Sequence, residues 1–541
     1  MKRISLIILG ITTLVSISFA QVSYWPAAGL TPRSTTLYQT NLANNSVETG
    51  DIAIGSNGNV LLAWEDDGAG LTDWEAIWTL LDSSGNSLTP PVTITNVPSA
   101  SCDPNADSVP NCTYRAFFRS NGSPTPGYTG DFGGKGKANL FGDGFAFSSS
   151  GDAIACEVPE LVSINLGQGD TAPEESPIVQ LINNNGTPNV AAGGPLVAGI
   201  RSYSDADTDP AGNIRPADVE FLANGNFVIV GESRQAADQA MTGQASGNVV
   251  VYKVLNSTGG VVMPYTNGSS EAIGQSMWHG AAATANGFAL RFATSGGRIR
   301  FFDNNGLPLT TNIDIAAVTG HPEAGPNDRG DGSGFKGNGR DAIVYAANSA
   351  AGPWVTVFNA NGTVRYSRAV TGTNVDGLFP NSDRLDAAIA ADGRVVVVFD
   401  ASNTDTNNGV FKLTQARIFD PCGNPLGPVF YVSEKETATN AVVSNANGRP
   451  RVAWRGDIIA FMWASDQITP RITASRIFNA PPSLGPTIQL VSGVVTISWT
   501  GCGILQQSSD LTNWADITPT ATSPYTPSPL ATQKFYRLRY F

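Results

Sequence analysis

Two stretches decide the fold, Asp392-Gly393-Arg394-Val395-Val396-Val397-Val398-Phe399 and, seventeen residues later, Ala416-Arg417-Ile418-Phe419-Asp420-Pro421-Cys422-Gly423. The first is a turn dipeptide followed by a β-rich run. Asp-Gly and Asn-Gly are strong hairpin signals, since type I′ turns need positive φ at both central residues. The second places an acid and a glycine in a turn after another apolar run. Together they predict two successive β-hairpins.

Both signals recur along the chain, and the repetition is stronger evidence than either copy alone. The first signal occurs at Asn57-Gly58, Asn224-Gly225, Asn286-Gly287, Asn338-Gly339, Asp392-Gly393 and Asn447-Gly448, with a degenerate copy at Gly151-Asp152. The second occurs at Leu81-Asp82, Ile182-Asn183, Leu255-Asn256, Phe302-Asp303, Phe358-Asn359 and Phe419-Asp420, each with Gly three residues after the acid or amide; a last copy, Ile477-Phe478-Asn479, lacks the glycine.

Two hairpins per unit make a four-stranded antiparallel sheet. Seven such units within residues 21–479 predict an all-β fold, a seven-bladed β-propeller. Six or eight blades remain open because the second unit is irregular and carries an insertion at 98–135. The last unit lacks a fourth strand, and the segment 34–40 has a strand pattern without a partner. We expect that segment to supply the missing strand and close the ring.

The repeat resembles a propeller-like repeat of secreted bacterial proteins, with the pattern dG-x-hydrophobic-x-x-W followed by x-R-x-F-D-x-x-G-x-P-x-G. The copy from Asp392 to Gly427 matches best. The resemblance covers residues 51–97 and 216–479 well and 98–215 poorly. It implies a propeller fold and secretion, and it brings no catalytic residues, because that repeat has no common activity.

Residues 480–541 have a different pattern after the linker Ala480-Pro481-Pro482-Ser483. The string Leu505-Gln506 to Trp514, followed by Ser523-Pro524-Tyr525 and Phe535-Tyr536-Arg537-Leu538, resembles a terminal module of many secreted bacterial proteins, similar to immunoglobulin-like or fibronectin-type domains. It predicts a small β-sandwich.

The N-terminus and the charge predict the protein's location and exclude some partners. Residues 1–20 are typical of a signal peptide: Lys2 and Arg3 precede an apolar run of about a dozen residues, and small residues precede Gln21. Cleavage there would leave a net charge of 30 minus 45, or −15. Such a surface disfavours nucleic acids, and no later stretch is long enough to span a membrane. We expect an extracellular or cell-surface protein.

Cysteines support an oxidising compartment. Cys102 and Cys112 lie ten residues apart in a polar loop, and we expect a disulfide between them. The state of Cys156, Cys422 and Cys502 stays open. Zinc is disfavoured, because no CxxC pair is present and the chain has two histidines.

Acidic residues offer two kinds of site. Asp205, Asp207 and Asp209 alternate as oxygen ligands of calcium can, although Pro210 stands where an EF-hand needs glycine. A solvated acidic loop is the other interpretation, and no other cofactor is indicated. A second set follows the second strand of several units, namely Glu65, Asp66, Glu157, Glu232 and Asp400. If these carboxylates converged, they would suit glycoside hydrolysis.

The sequence therefore predicts a secreted or cell-surface binding protein that recognises a glycan or a surface protein, without catalysis. One alternative is a polysaccharide-active propeller enzyme, a glycoside hydrolase or lyase. Another is a structural envelope or matrix protein. Neither the ligand nor the oligomeric state follows from the sequence.

Overall fold

The computed structural model describes a large part of the chain. The described residues are 23–24, 29–33, 38–39, 47–66, 75–90, 92–93, 145–147, 153–162, 174–183, 214–233, 249–257, 260–270, 276–293, 297–320, 334–349, 352–371, 379–405, 409–432, 450–465, 472–482, 485–499, 502–517, 521–528 and 533–539. The signal segment, the insertion 98–135 with Cys102 and Cys112, and the acidic loop with Asp205, Asp207 and Asp209 lie outside them.

The described part is nearly all β-structure, as the sequence predicts. Before residue 480 it forms seven sheets, which we number 1 to 7 in chain order. Their strands are, in sheet 1, β4 (Val47–Ile54), β5 (Val60–Asp66), β6 (Glu75–Leu81) and β7 (Val92–Thr93); in sheet 2, β8 (Phe145–Phe147), β9 (Ala153–Val162) and β10 (Glu174–Asn183); in sheet 3, β11 (Ile214–Phe221), β12 (Phe227–Ser233), β13 (Val249–Leu255) and β14 (Val261–Asn267); in sheet 4, β15 (Ser276–Thr284), β16 (Gly287–Ala293), β17 (Arg298–Asp303) and β18 (Ile313–Asp314); in sheet 5, β19 (Phe335–Gly337), β20 (Ala342–Ser349), β21 (Gly352–Asn359) and β22 (Val364–Ala369); in sheet 6, β23 (Phe379–Ile389), β24 (Val395–Asp405), β25 (Gly409–Phe419), β26 (Phe430–Tyr431) and β1 (Ser23–Tyr24); in sheet 7, β27 (Arg451–Arg455), β28 (Ile458–Ser465), β29 (Ile472–Asn479), β2 (Thr31–Pro32) and β3 (Tyr38–Gln39).

The seven sheets form a propeller-like ring. Within each sheet, successive strands pair antiparallel in chain order. The first strands contact one another in a cycle: β4 contacts β8, then β8 contacts β11, β11 contacts β15, β15 contacts β19, β19 contacts β23, β23 contacts β27, and β27 contacts β4. The first strands therefore line the centre of the ring, and the later strands lie toward its outside.

Strands from the N-terminal segment pair with the last two sheets. β2 and β3 both pair antiparallel with β29, and β1 pairs parallel with β26. Arg33 strengthens the first contact, since its guanidinium lies 2.6 Å from the Asp457 carboxylate and its backbone N–H donates to Ile477. The beginning and the end of the ring-forming segment are thus joined through sheet 7.

Apolar side chains fill the spaces between neighbouring sheets. The cluster that joins sheet 7 to sheet 1 contains Ile458 and Met462 from one side and Ile52, Leu62 and Trp64 from the other. Trp64 is fully buried there. Equivalent clusters join sheets 3 and 4, 4 and 5, 5 and 6, and 6 and 7.

The turns agree with the predicted hairpins but not with the predicted turn type. Gly58, Gly225 and Gly393 have φ of 83°, 85° and 89°. The residue before each has negative φ, so the type I′ prediction is wrong at these positions. Only the glycine is left-handed, as in a type I turn followed by a glycine. The carboxamide of Asn57 accepts the backbone N–H of Asn59 at 3.0 Å, which explains the asparagine.

The second recurring signal also forms turns, between the third and fourth strands. In sheet 4, one carboxylate oxygen of Asp303 accepts the backbone N–H groups of Asn305 and Leu307, both at 2.8 Å. Asp420 makes the same pair of bonds in sheet 6. Both recurring turns lie at the same end of the sheets, which we call the turn end.

Beyond residue 480 the described chain forms two small sheets. One contains β30 (Thr487–Val491) and β31 (Val494–Ser498); the other contains β32 (Ile504–Ser508), β33 (Ala515–Asp516) and β34 (Phe535–Arg539). Ile497, Leu505 and Ile517 form a compact core between them. We call residues 485–539 the C-terminal module. The described chain has one short α-helix, α1 (Ile315–Thr319), and no helix able to cross a membrane.

Candidate functional site

Three buried aspartates occupy the same place on three first strands. They are Asp51, Asp218 and Asp386. Each lies three residues before the residue of its first strand that makes the last pair before the first turn, and each follows a β-bulge. Their exposed fractions are 1%, 0% and 0%. Ala281, Gly334 and Val452 hold the same register position in sheets 4, 5 and 7. These positions form a belt around the centre of the ring.

The aspartates of this belt connect neighbouring sheets. One carboxylate oxygen of Asp386 accepts the backbone N–H of Gly334 at 2.7 Å, and the other accepts that of Val452 at 2.8 Å. Asp218 accepts the backbone N–H of Ala281 at 2.6 Å. Charged acceptors make strong hydrogen bonds to backbone donors in a buried setting. The first role of these residues is therefore structural.

Basic side chains compensate the buried acids. The ammonium nitrogen of Lys336 lies 3.3 Å from the Asp386 carboxylate and 3.7 Å from that of Asp51, and it donates to the carbonyl of Val452 at 3.1 Å. Burial raises the pKa of Asp51, and Lys336 and Arg451 oppose that rise. We call Asp51, Glu220, Lys336, Asp386 and Arg451 the central charge cluster.

Glu220 is the unusual member of the central charge cluster. It lies two residues after Asp218 on β11 and is partly exposed. Burial raises its pKa to about 8; Lys336 opposes this shift and Asp51 adds to it. With a pKa of about 8, Glu220 holds a proton at neutral pH and can donate it.

Three alanines and Trp454 lie at the level of Glu220 in the first strands of four other sheets. Glu220 and Lys336 each lie one residue before the last pair of their first hairpin. Ala53, Ala283 and Ala388 hold that register position in sheets 1, 4 and 6. Glu220 and Lys336 are therefore the polar residues of this level in the described first strands, and both are partly exposed: the Lys336 side chain is 17% exposed.

The carboxylates singled out from the sequence are placed only through their backbone. Three of them share one register position, five residues after the point where the second strand of their sheet begins to pair with the first. They are Glu65, Glu232 and Asp400. Asp66 follows Glu65 in β5, and Glu157 lies at a different register in β9. Their side chains lie outside the described parts, so their convergence stays a prediction.

Other predicted sites fall partly or wholly outside the described residues. Neither the Cys102–Cys112 disulfide nor the calcium loop at Asp205, Asp207 and Asp209 can be placed. Within the described residues, no group of three or more His, Cys, Asp or Glu side chains could hold a metal ion. A disulfide does join Cys422 to Cys502, two cysteines that the sequence left unassigned.

The comparisons with known proteins return distant structural matches only. No protein-family model and no curated protein matches the chain. An α-L-arabinofuranosidase from Podospora anserina is 11% identical, with a TM-score of 0.25 over 51% of this chain and 94% of that one. A structure of the GH130 family of mannoside phosphorylases and glycoside hydrolases is 8% identical, with a TM-score of 0.27 over 82% and 91%. A puromycin-hydrolysing peptidase from Mycobacterium tuberculosis is 9% identical, with a TM-score of 0.40 over 88% and 61%.

Against these matches, the prediction of a binding protein without catalysis is wrong, because the matched structures include carbohydrate-cleaving enzymes. The likenesses are too distant to transfer any residue's role. The three buried aspartates were missed at the sequence level, although a signal exists: Asp51, Asp218 and Asp386 each stand seven residues before a turn glycine. Nothing comparable marks Glu220 or Lys336, since the repeat has alanine at their position in three sheets.

Proposed function

We propose that the protein is a polysaccharide-active enzyme, a glycoside hydrolase or lyase, built on a seven-bladed β-propeller with a small C-terminal β-sandwich. The cyclic contacts of the seven first strands support the architecture. The partly exposed Glu220, with a pKa of about 8 beside Lys336 and Asp51, is the observation that carries the activity.

Glu220 acts as the general acid. Cleavage of a glycosidic bond, by water or by elimination, leaves an oxygen that must take up a proton. A carboxylic acid that stays protonated at neutral pH can supply it, whereas an ordinary glutamate would already be ionised. Lys336 and Asp51 set the charge around Glu220. Asp51 is only 1% exposed, so it influences the acid without touching the substrate.

The proposal includes export. The Cys422–Cys502 disulfide supports an oxidising compartment, where such bonds persist. The signal-like residues 1–20 point the same way.

The test is cleavage of a panel of neutral and acidic polysaccharides by the purified protein. New reducing ends without ultraviolet absorbance would identify a hydrolase, and new reducing ends with the absorbance of an unsaturated sugar would identify a lyase. A folded protein that releases no reducing ends from any member of a broad panel would contradict the proposed activity.

A further inference from the structure

The linker to the C-terminal module follows the turn end of sheets 7 and 6. After β29, the backbone N–H of Ala480 donates to the carbonyl of Asp457 at 2.7 Å, in the first turn of sheet 7. The next two carbonyls, of Pro481 and Pro482, accept hydrogen bonds from the Arg394 guanidinium at 2.6 and 3.0 Å. The chain is therefore held at the inner turns of both sheets.

Arg394 is fixed by its own sheet and its neighbour. Its Nε donates to the Asp392 carboxylate at 2.8 Å, and its guanidinium carbon lies 4.8 Å from the centre of the Trp454 ring. The residue is only 3% exposed. A guanidinium held on two sides can present its remaining donors in one direction. The proline carbonyls bind to a rigid donor rather than to a mobile surface side chain.

The second attachment is covalent. Cys422 lies in the second recurring turn of sheet 6, and Cys502 lies between β31 and β32 of the C-terminal module. Their disulfide spans 80 residues of chain, with the Cα atoms 6.0 Å apart. Cys502 is exposed and Cys422 is partly exposed. A thiol in solution can therefore reach this bond.

We propose that Arg394 and the Cys422–Cys502 disulfide form a two-point latch, which fixes the C-terminal module on the turn end of sheet 6 and which a dithiol reductant opens at one point. In that step the S–S bond breaks, and each sulfur gains one electron and one proton. The two thiols of the reductant lose them and form a disulfide. The module then remains attached only through Ala480, Pro481 and Pro482 and can turn about the linker.

The latch is independent of the proposed activity, because both attachment points lie at the turn end and neither belongs to the central charge cluster. Two points are needed for a fixed orientation. A module held at one point can still rotate about that point, whereas a second attachment at the outer turn of the same sheet prevents this rotation.

The test is limited proteolysis of the full chain with a non-specific protease. Every sample is quenched and then fully reduced before mass spectrometry, so that the release of the C-terminal fragment reports cleavage of the linker alone. Four samples are compared: oxidised wild type, wild type with dithiothreitol, and Cys502→Ser with and without dithiothreitol. Cleavage of a segment follows the population of its open state. We expect fragment release about tenfold faster in both Cys502→Ser samples and in reduced wild type than in oxidised wild type. The reductant should add nothing in Cys502→Ser, which separates this disulfide from the other cysteines.

Two results would overturn the latch. One is release from Cys502→Ser at the rate of oxidised wild type. The other is a non-reducing peptide map of oxidised wild type in which Cys422 and Cys502 are free thiols. Circular dichroism shows whether the Cys502→Ser variant is folded. If it is not, the comparison of oxidised with reduced wild type tests the latch instead, because reduction then starts from the folded protein.

Discussion

The carboxylate of Asp386 accepts a hydrogen bond at 2.8 Å from the backbone N–H of Val452, 66 residues later and in the next sheet. The same side chain accepts the backbone N–H of Gly334 in the preceding sheet. One buried acid thus connects three consecutive sheets at their innermost strands. The contacts that hold the ring together and the candidate site therefore share residues at the centre of the molecule.

Replacing Asp386 by Asn should weaken the ring strongly. The amide can keep one acceptor but not both, and it leaves Lys336 without one of its carboxylates. We expect the free energy of unfolding to fall by about 3 kcal/mol, as when one member of a buried ion pair is removed. Urea unfolding measures this. Asp457→Asn is the control, because that side chain is 82% exposed and should cost less than about 1 kcal/mol. Equal losses in the two variants would show that the inter-sheet bonds contribute little.

A repeated arginine connects the sheets further from the centre. Arg417 donates to the carbonyl of Val370, at the end of sheet 5, at 2.8 Å, and Arg300 makes the corresponding bond to Gly268 at 3.2 Å. We expect Arg417→Met to lower the free energy of unfolding by about 1–2 kcal/mol, since the buried carbonyl loses a charged donor. The exposed Arg368→Met should change it by less than about 0.5 kcal/mol. If Arg417→Met left the free energy of unfolding unchanged, the bond to Val370 would not contribute to stability.

Alanine substitutions at two turn glycines distinguish the stability cost of a left-handed backbone from the cost of a steric clash. Gly225 and Gly423 have φ of 85° and 81°. A methyl group at Gly225 would meet nothing within 4 Å, whereas at Gly423 it would lie 2.5 Å from the ring of Tyr366. Gly225→Ala should cost about 1 kcal/mol for the left-handed backbone alone. Gly423→Ala should cost at least about 1 kcal/mol more. Thermal or urea unfolding of the pair tests this, and identical losses would contradict the packing at Tyr366.

The sequence predicts the fold better than the site, for physical reasons. Turns depend on local geometry, so the glycines at 58, 225 and 393 and the acids at 303 and 420 identify the hairpins directly. The turn type was predicted wrongly, because an asparagine side chain can satisfy the loop without adopting positive φ. The partners of Cys422 and Asp386 lie 80 and 66 residues away. Such contacts depend on the closed ring, and no local pattern encodes them.

Glu220 should make the protein less stable as pH rises. Its pKa is about 8 in the folded protein, against 4.5 for an ordinary glutamate. Between these values the folded state keeps a proton that the unfolded chain has released, so stability falls as pH rises through this range. In Glu220→Gln this loss is absent. The stability of the variant relative to wild type should therefore increase by on the order of 2–5 kcal/mol between pH 5 and pH 8, measured by urea unfolding. A difference that does not change with pH would place the Glu220 pKa near its ordinary value.

Polysaccharide cleavage by Glu220→Gln tests the central claim most directly, with Asp314→Asn as the control. Asp314 caps helix α1 through the backbone N–H of Ala317 and lies outside the central charge cluster. On a polysaccharide that wild type cleaves, Glu220→Gln should lose at least about a hundredfold in kcat, because the amide cannot donate an acidic proton. Asp314→Asn should retain wild-type activity. Undiminished cleavage by a folded Glu220→Gln protein would contradict the assignment of Glu220 as the general acid.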